Sequence, residues 1–442
     1  MTTISNWGNY PKIEAHTHSF QDEDRLRSIL SSTDTTIARG LGRCYGDSSL
    51  NGNIISTLKF NRFLGFDSTT GLFQCEAGVT FEEIVKIFVP RGWFLPVTPG
   101  TKFITVGGAI ASDVHGKNHH KDGSFCRHLV SMDIMLADGN IVSCSREENE
   151  DLLFATCGGM GLTGVILRAA FRLNKIETAF IKQKIVRAPN LQTLMDLFER
   201  YEDEPYSVAW LDCLATGPKL GRGVLMKGDH AVMKDLVGKR YEQKPLTIPQ
   251  KRRMNIPFYF PSLTLNKYTV KLFNEMYYQF HPTTQKHTIV DIDSFFYPLD
   301  SIHNWNRIYG RKGFVQYQFV LPREKSKEGM EEILTTIAQR GTASFLSVLK
   351  LFGRQNDIIS FPMEGYTLAL DFPVTNRLFE FLEELDGLVL SYGGRHYLTK
   401  DARMKKETFY NGYTTAKDFI RLRRTYDSEN KFASLQSARL EI

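Results

Sequence analysis

Three glycine-dense segments, all within the first 165 residues, most constrain what this chain can fold into. They are Arg39 to Ser48 (RGLGRCYGDS), Pro99 to Gly116 and Cys157 to Gly164 (CGGMGLTG). Glycine lets main chain approach main chain, or a bound group, with no side chain between them. The first segment follows a β-like run, and its amides can point at a phosphate. It is not a Rossmann fingerprint, because the third glycine of G-x-G-x-x-G would fall at Tyr45. In the second, Gly107, Gly108, Ala109, Ala111 and Ser112 leave room for a flat, hydrogen-bonding ring system. One such loop alone reads as an ordinary turn. Three at this spacing point to a long cofactor held largely by backbone.

The surrounding pattern predicts α+β architecture. Short strands are expected at Thr36–Ala38, Ile54–Leu58, Phe73–Ala77, Ser131–Leu136 and Gly164–Ala169. Asp138-Gly139 reads as a hairpin turn. Thr80 and Glu83 form a capping-box signature for a helix over Phe81 to Phe88. Beyond Ile176 the texture changes. Amphipathic helices are predicted from Pro189-Asn190 to Tyr201, from Ser326 to Gln339 and from Asn376 to Leu385, with strands at Gly313–Val320 and Tyr366–Phe372. Gln243 to Thr264 reads as a long surface loop, and the last fifty residues as basic and helical.

A net charge of +6 argues against a nucleic-acid binder. The Lys251-Arg252-Arg253 run reads as a solvated loop, or as a contact for an anionic substrate or lipid headgroups. Six cysteines without C-x-x-C spacing read as reduced structural thiols. His119 and His120 lack a carboxylate or cysteine partner at ligand spacing, so no metal is expected. Met1 to Tyr10 has no apolar signal core, and no run approaches the ~18 apolar residues of a membrane span. The expected location is the cytoplasm, with peripheral contact at the inner face of the plasma membrane.

The three segments, in this order, resemble the PCMH-type FAD-binding domain of the vanillyl-alcohol-oxidase superfamily. Within it, the sequence resembles the decaprenylphosphoryl-β-D-ribose 2′-oxidase family. The carrying motifs are Arg39–Asp47, Thr105–His120, Ser131–Asp133 and Gly158–Gly164. Later ones are Pro218–Arg222, Trp305–Arg307, Gln316–Phe319, Lys350–Gly353, Asp371–Pro373, Gly393–Arg395, Lys400-Asp401 and Phe432–Ser434. The resemblance implies two α/β cofactor subdomains over residues 1–178, completed by 395–442. A substrate domain over 179–394 would be a mainly antiparallel sheet covered by helices.

The resemblance also implies FAD contacts at Ala38, Arg39, Gly40, Leu41, Gly42, Arg43, Cys44, Tyr45, Gly46, Asp47 and Ser48. Further contacts would be Gly100, Thr105, Val106, Gly107, Gly108, Ser112, Asp113, Val114, His115, Ile166 and Tyr397. Arg43 stands where many superfamily members carry a flavin-linking histidine, so dissociable FAD is expected. Lys117, Tyr309, Gln316, Gln318, Lys350 and Lys400 would face the substrate. The implied reaction is oxidation of a secondary sugar hydroxyl, C2 of a polyprenylphosphoryl-β-D-ribose, with an NADH-dependent short-chain reductase completing a 2′-epimerisation in arabinose-containing glycan synthesis. Hydride leaves carbon for the flavin, and a base or relay must take the hydroxyl proton. Lys400 is favoured as the polarising group, with His115 as the competing candidate and Tyr45 beside them.

The rival enzyme is a free sugar, alditol or aldonolactone oxidase. The rival of another class is a non-catalytic flavin-binding scaffold. One departure stands out: Thr367 and Ala369 occupy places where mycobacterial members carry an asparagine and a cysteine. Covalent trapping at that cysteine is therefore not expected here.

Overall fold

The computed structural model describes residues 1–261, 264–355 and 357–442. Among the described residues, sheets of four, five and eight strands build it, with two further two-stranded pairs. In the first, strands Thr2–Ser5, Lys12–Ser19, Asn53–Ser56 and Ile37–Arg39 lie side by side in that order. The outer pair is antiparallel, and the remaining pairings are parallel. Ile37, Ile54 and Ile55 are fully buried, as parallel strands covered on both faces require. Asp22 caps the helix Glu23–Ser32 by accepting from the Arg25 amide at 2.8 Å, and Leu26, Ile29 and Leu30 face inward.

The second sheet is antiparallel, in the order Phe63–Asp67, Leu72–Glu76, Val165–Arg172, Leu129–Met135, Ile141–Ser145. The Asp138-Gly139 turn joins its last two strands as predicted, with Gly139 at φ +85°. The helix Phe81–Phe88 carries the predicted capping box: Thr80 Oγ1 accepts from the Glu83 amide at 3.2 Å, and Glu83 accepts from the Thr80 amide at 2.8 Å.

The large sheet has eight antiparallel strands. Their order is Lys286–Asp291, Phe180–Ala188, Gly223–His230, Tyr206–Leu211, Ser347–Phe352, Gly365–Pro373, Phe314–Pro322, Arg395–His396. Helices Leu191–Arg200, Arg323–Arg340 and Leu378–Ser391 cover one face. Side chains alternate across a strand. Val315, Tyr317 and Phe319 thus join Leu349, Leu351, Tyr366, Leu368 and Leu370 under the helices. Gln316, Gln318, Val348, Lys350, Thr367 and Ala369 point the other way, into a cavity.

Two helices outrun the sequence pattern. The second starts at Arg323, three residues early, where Arg323 makes a two-pronged bond to Glu202 at 2.8 and 3.0 Å. The third runs from Leu378 to Ser391 rather than ending at Leu385. The polar break at Asp386 is absorbed by Arg403, which donates to it at 2.6 and 2.7 Å, so the helix continues to the buried Val389.

After the edge strand Arg395–His396 the chain returns to the first sheet. Helices Lys406–Gly412, Ala416–Tyr426 and Leu435–Leu440 pack Phe409, Tyr413, Phe419 and Leu440 against Ile37 and Ile54. Besides its own core under the helices, the large sheet shares a second one: Phe180, Tyr206, Phe295 and Phe296 join one apolar cluster with Phe73, Phe94 and Phe171 of the cofactor side. Of the C-terminal arginines, Arg423 is interior and donates to the Phe432 carbonyl at 2.7 Å.

Arg439 links the two chain ends. It donates to Asp47 at 2.9 Å and to Asp401 at 2.8 Å, and both carboxylates are nearly buried. Arg439→Met leaves two buried carboxylates facing each other without a cation. A loss on the order of 3–5 kcal/mol in denaturant unfolding is expected. A change below about 0.5 kcal/mol would show that the triad does not tie the return segment down.

Candidate functional site

A cavity of about 670 Å³ lies where the three sheets meet. The loop after strand Ile37–Arg39 forms its first wall. Gly42 sits at φ +61°, turning the loop tightly enough for successive amides to face inward. Among the described residues, none accepts from the N–H groups of Leu41, Gly42, Arg43 or Cys44. Gly42 is buried, Arg43 and Cys44 are half-buried and Leu41 is exposed, so this row of free amides is open to an anionic oxygen. A Cβ on Gly40 would stand 2.2 Å from Thr105 Oγ1, so the first and second glycine segments touch there. Arg39 braces the loop by donating to Asn6 at 3.2 Å and to the Ser5 carbonyl at 2.9 Å. The Arg43 guanidinium lies over the Trp7 ring, 3.8 Å from its centroid.

Thr105 opens the second wall by capping the helix Val106–Ala111, accepting from the Gly108 amide at 3.2 Å. Gly100, Gly107, Ser112, Val114 and His115 line the cavity beside it. The third segment contributes Met160, Gly161 and Gly164, and strand Val165–Arg172 adds Ile166. Of the expected cofactor contacts, Ala38 to Tyr45, Ser48, Gly100, Thr105, Gly107, Gly108, Ser112, Val114, His115, Ile166 and Tyr397 line this space.

Five expected site residues stand behind the wall instead. A Cβ on Gly46 would meet the Asp401 carbonyl, so it is a packing glycine. Asp47 is engaged by Arg439. Val106 is core. Asp113, fully buried at φ +38°, accepts from Ser124 at 2.7 Å, Gln355 at 2.9 Å and the Cys126 amide at 3.0 Å. It therefore anchors the His115 turn rather than facing a ligand. Tyr309 stacks on Phe314 and donates to Asp371 at 3.2 Å.

The far wall lies outside the motifs that mark the site in sequence. Trp210, Phe273, Tyr277 and Phe345 form an apolar flank, and Asp300 a polar corner. Phe273 and Tyr277 come from the helix Lys267–Phe280, which was not anticipated. Its signal was Asn266 as N-cap with Val270, Phe273, Asn274 and Tyr277 at i, i+3, i+4 and i+7.

The electrostatics of the cavity are set by burial. Taking an amine out of water disfavours its charged form. Burial brings Lys117 and Lys400 down to about 7 and Lys350 to about 8. Asp371 supports the charge on Lys400 and is itself pushed up by burial to about 7, while Gln316 donates to it at 2.5 Å. The Lys400 ammonium lies 3.9 Å from the Tyr45 ring centroid. His115 is enclosed by Phe352, Phe361 and Tyr397, with ring centroids 4.7 to 5.7 Å away. Burial, then the Lys350 charge, holds it well below the usual histidine range, so it is neutral. Its Nε2 contacts Gln318 Nε2 at 3.1 Å, and its Nδ1 has no partner among the described residues. Gln318 also donates to Thr367 Oγ1 at 3.2 Å, and Thr367 donates to the Phe319 carbonyl at 2.7 Å. His119 and His120 are held by Gln355 at 2.9 Å and the Glu204 carbonyl at 2.9 Å.

A main-chain anion receptor opening onto near-neutral amines, inside two α/β subdomains capped by a helix-covered sheet, defines a PCMH-type flavoprotein. A family model described as an FAD binding domain matches residues 23–145. The chain is 38% identical to the decaprenylphosphoryl-β-D-ribose oxidase of Mycolicibacterium smegmatis, over 99% of this chain and 97% of that protein. It is 32% identical to an uncharacterized Streptomyces coelicolor protein, over 82% of this chain and 100% of that one. It is also 32% identical to human Δ24-sterol reductase, over 25% of this chain and 21% of that protein. The chain belongs to the decaprenylphosphoryl-β-D-ribose oxidase family and is an FAD-dependent oxidoreductase.

Two outcomes test the site. Gly40→Ala must push the first loop away from Thr105, and purified protein is expected to lose most of its flavin absorbance, with FAD affinity down at least about tenfold. A fully yellow variant would show that the contact is not needed. Lys350 has a folded value lowered from 10.5 to about 8, so burying it costs nothing above the unfolded value. The cost grows as pH falls toward 8 and stays constant below, at a ceiling on the order of 3 kcal/mol. Without added FAD, Lys350→Met is expected to melt above wild type at pH 7, and the gap should close between pH 8 and 10.5. A gap independent of pH would contradict the assignment.

Proposed function

We propose that the protein oxidises the C2 hydroxyl of a polyprenylphosphoryl-β-D-ribose to the 2-keto sugar. The observation that carries this reading is the convergence of Lys117, Lys350 and Lys400 on the cavity that the glycine loops also line. Amines near neutrality can hold a proton or release one at working pH, which suits both an anionic phosphate and an alcohol being oxidised. The apolar flank of Trp210, Phe273 and Tyr277 supports a prenyl chain over a free polyol.

Bound FAD supplies the hydride acceptor. The Leu41 to Cys44 amides would bind its phosphates and the small residues of the second segment its ring. Lys400, polarised by Asp371 and set over Tyr45, would orient the sugar hydroxyl and take its proton at Nζ. Gln316 and Tyr309 hold Asp371 in place for that role. Gln318 fixes the neutral His115 against the ring site. Lys117 and Lys350 would neutralise the phosphate. Thr367 and Ala369 give this cavity a wall with neither the asparagine nor the cysteine of mycobacterial members.

A 2-keto pentose becomes its epimer only when hydride returns to the opposite face. We therefore assign the second half-reaction to an NADH-dependent short-chain reductase, and the pair to the cytoplasm at the inner face of the plasma membrane.

Anaerobic mixing of the holoenzyme with farnesylphosphoryl-β-D-ribose is expected to bleach the flavin, while free ribose and alditols leave it oxidised. Bleaching by free polyols alone would reject the lipid-linked reading. Lys400→Ala should slow bleaching by about 10²–10⁴-fold, and His115→Gln by no more than about tenfold. The reverse order would make His115 the base.

A further inference from the structure

Seven of the sixteen exposed large apolar side chains among the described residues, Met254, Phe258, Tyr259, Tyr268, Leu272, Met276 and Phe280, fall within one stretch of 27 residues, and five of the seven are more than 60% exposed. Four belong to the helix Lys267–Phe280, at spacing i, i+4, i+8 and i+12, which places them along one side. The helix's other side is engaged. Val270 joins the large-sheet core, Asn274 donates to Asp212 at 2.6 Å, and Phe273 and Tyr277 form the apolar flank of the cavity. The helix is thus a wall with the cavity behind it and an unpartnered apolar stripe in front.

Charge concentrates in the same place. Residues 243–281 contain six lysines and arginines and one carboxylate, Glu275, a net of five positive charges in a chain whose total is +6. Lys251 is paired with Asp291 and Arg253 with Glu82. Lys244, Arg252, Lys267 and Lys271 have no ion pair among the described residues. The preceding loop is tied to the cavity lining: Met254–Asn255 pairs with Ile302–His303, and Ile302 lines the cavity.

Apolar residues flanked by unpaired cations are the two signals that hold a helix in the interface of a bilayer with anionic headgroups. We propose that the helix Lys267–Phe280 and the basic segment Lys244 to Arg253 seat the protein on an anionic lipid bilayer, with this wall of the cavity turned toward that surface. The inference rests on the prenyl-linked reading of the substrate, because such a substrate lies in a membrane and has to leave it at this wall. Among the described residues no helix is long and apolar enough to cross a membrane, so the contact is interfacial.

The test is flotation of the FAD-loaded protein with phosphatidylcholine vesicles, with and without phosphatidylglycerol. Wild type should float with the anionic vesicles only and be released by high salt. A Leu272→Ser/Met276→Ser/Phe280→Ser variant, and separately an Arg252→Glu/Lys271→Glu variant, should each lose at least about tenfold in vesicle affinity. Both should keep full flavin absorbance and unchanged turnover of a soluble short-chain prenylphosphoryl ribose. Failure of wild type to float, or equal flotation of both variants, overturns the proposal. So does a wild-type dimer that the serine variant converts to monomer, since a second copy would then be the occupant. Vesicle binding is read without any sugar, so a wrong substrate assignment and a wrong docking surface give different results.

Discussion

The structure depends on glycine main chain lying against its neighbours with no side chain of its own between, where the cofactor segments meet. A Cβ at Gly40 would run into the Thr105 side chain, one at Gly46 into the Asp401 carbonyl, and one at Gly8 into the Tyr45 carbonyl. These approaches clamp the first glycine loop between the N-terminal strand, the second glycine segment and the returning C-terminal chain. A loop held that closely has its amides fixed in direction. Leu41 to Cys44 line the cavity, and among the described residues nothing accepts from their amides.

The second constraint is dielectric. The large sheet turns its apolar alternates to the helices and its polar ones to the cavity, so amines and a carboxyl stand in a mostly apolar enclosure. That burial costs stability and is the reason Lys117, Lys350, Lys400 and Asp371 all titrate near neutrality. Groups that are strongly charged in water become groups that exchange protons at pH 7. The helix Lys267–Phe280 extends the same division outward, with one side closing the cavity and the other apolar and open to solvent.

Much of the cofactor half was legible in the sequence because local chemistry specifies it. The capping box at Thr80 and Glu83, the Asp138-Gly139 turn and the glycine segments act over a few residues, and the structure shows each element where the pattern implied it. The helices over the large sheet were legible from their apolar faces, but not their ends. The extra turns depend on Glu202 meeting Arg323 and on Arg403 meeting Asp386, contacts distant in sequence. The five residues behind the wall show the same limit. Gly46, Asp47, Val106, Asp113 and Tyr309 sit inside or beside the right motifs, yet their partners are Asp401, Arg439, the core, Gln355 and Asp371.

Residue order alone implied that three glycine-rich segments would line one long ligand site, and that alternating strands with amphipathic helices would build a covered sheet. Backbone conformation and periodicity are properties of neighbouring residues, so they can be read without a fold. Which face of each strand meets the cavity, which charged groups lose their water, and which apolar helix side is left uncovered follow from the folded arrangement. Burial and pairing depend on what the rest of the chain brings alongside, and no window of sequence contains that.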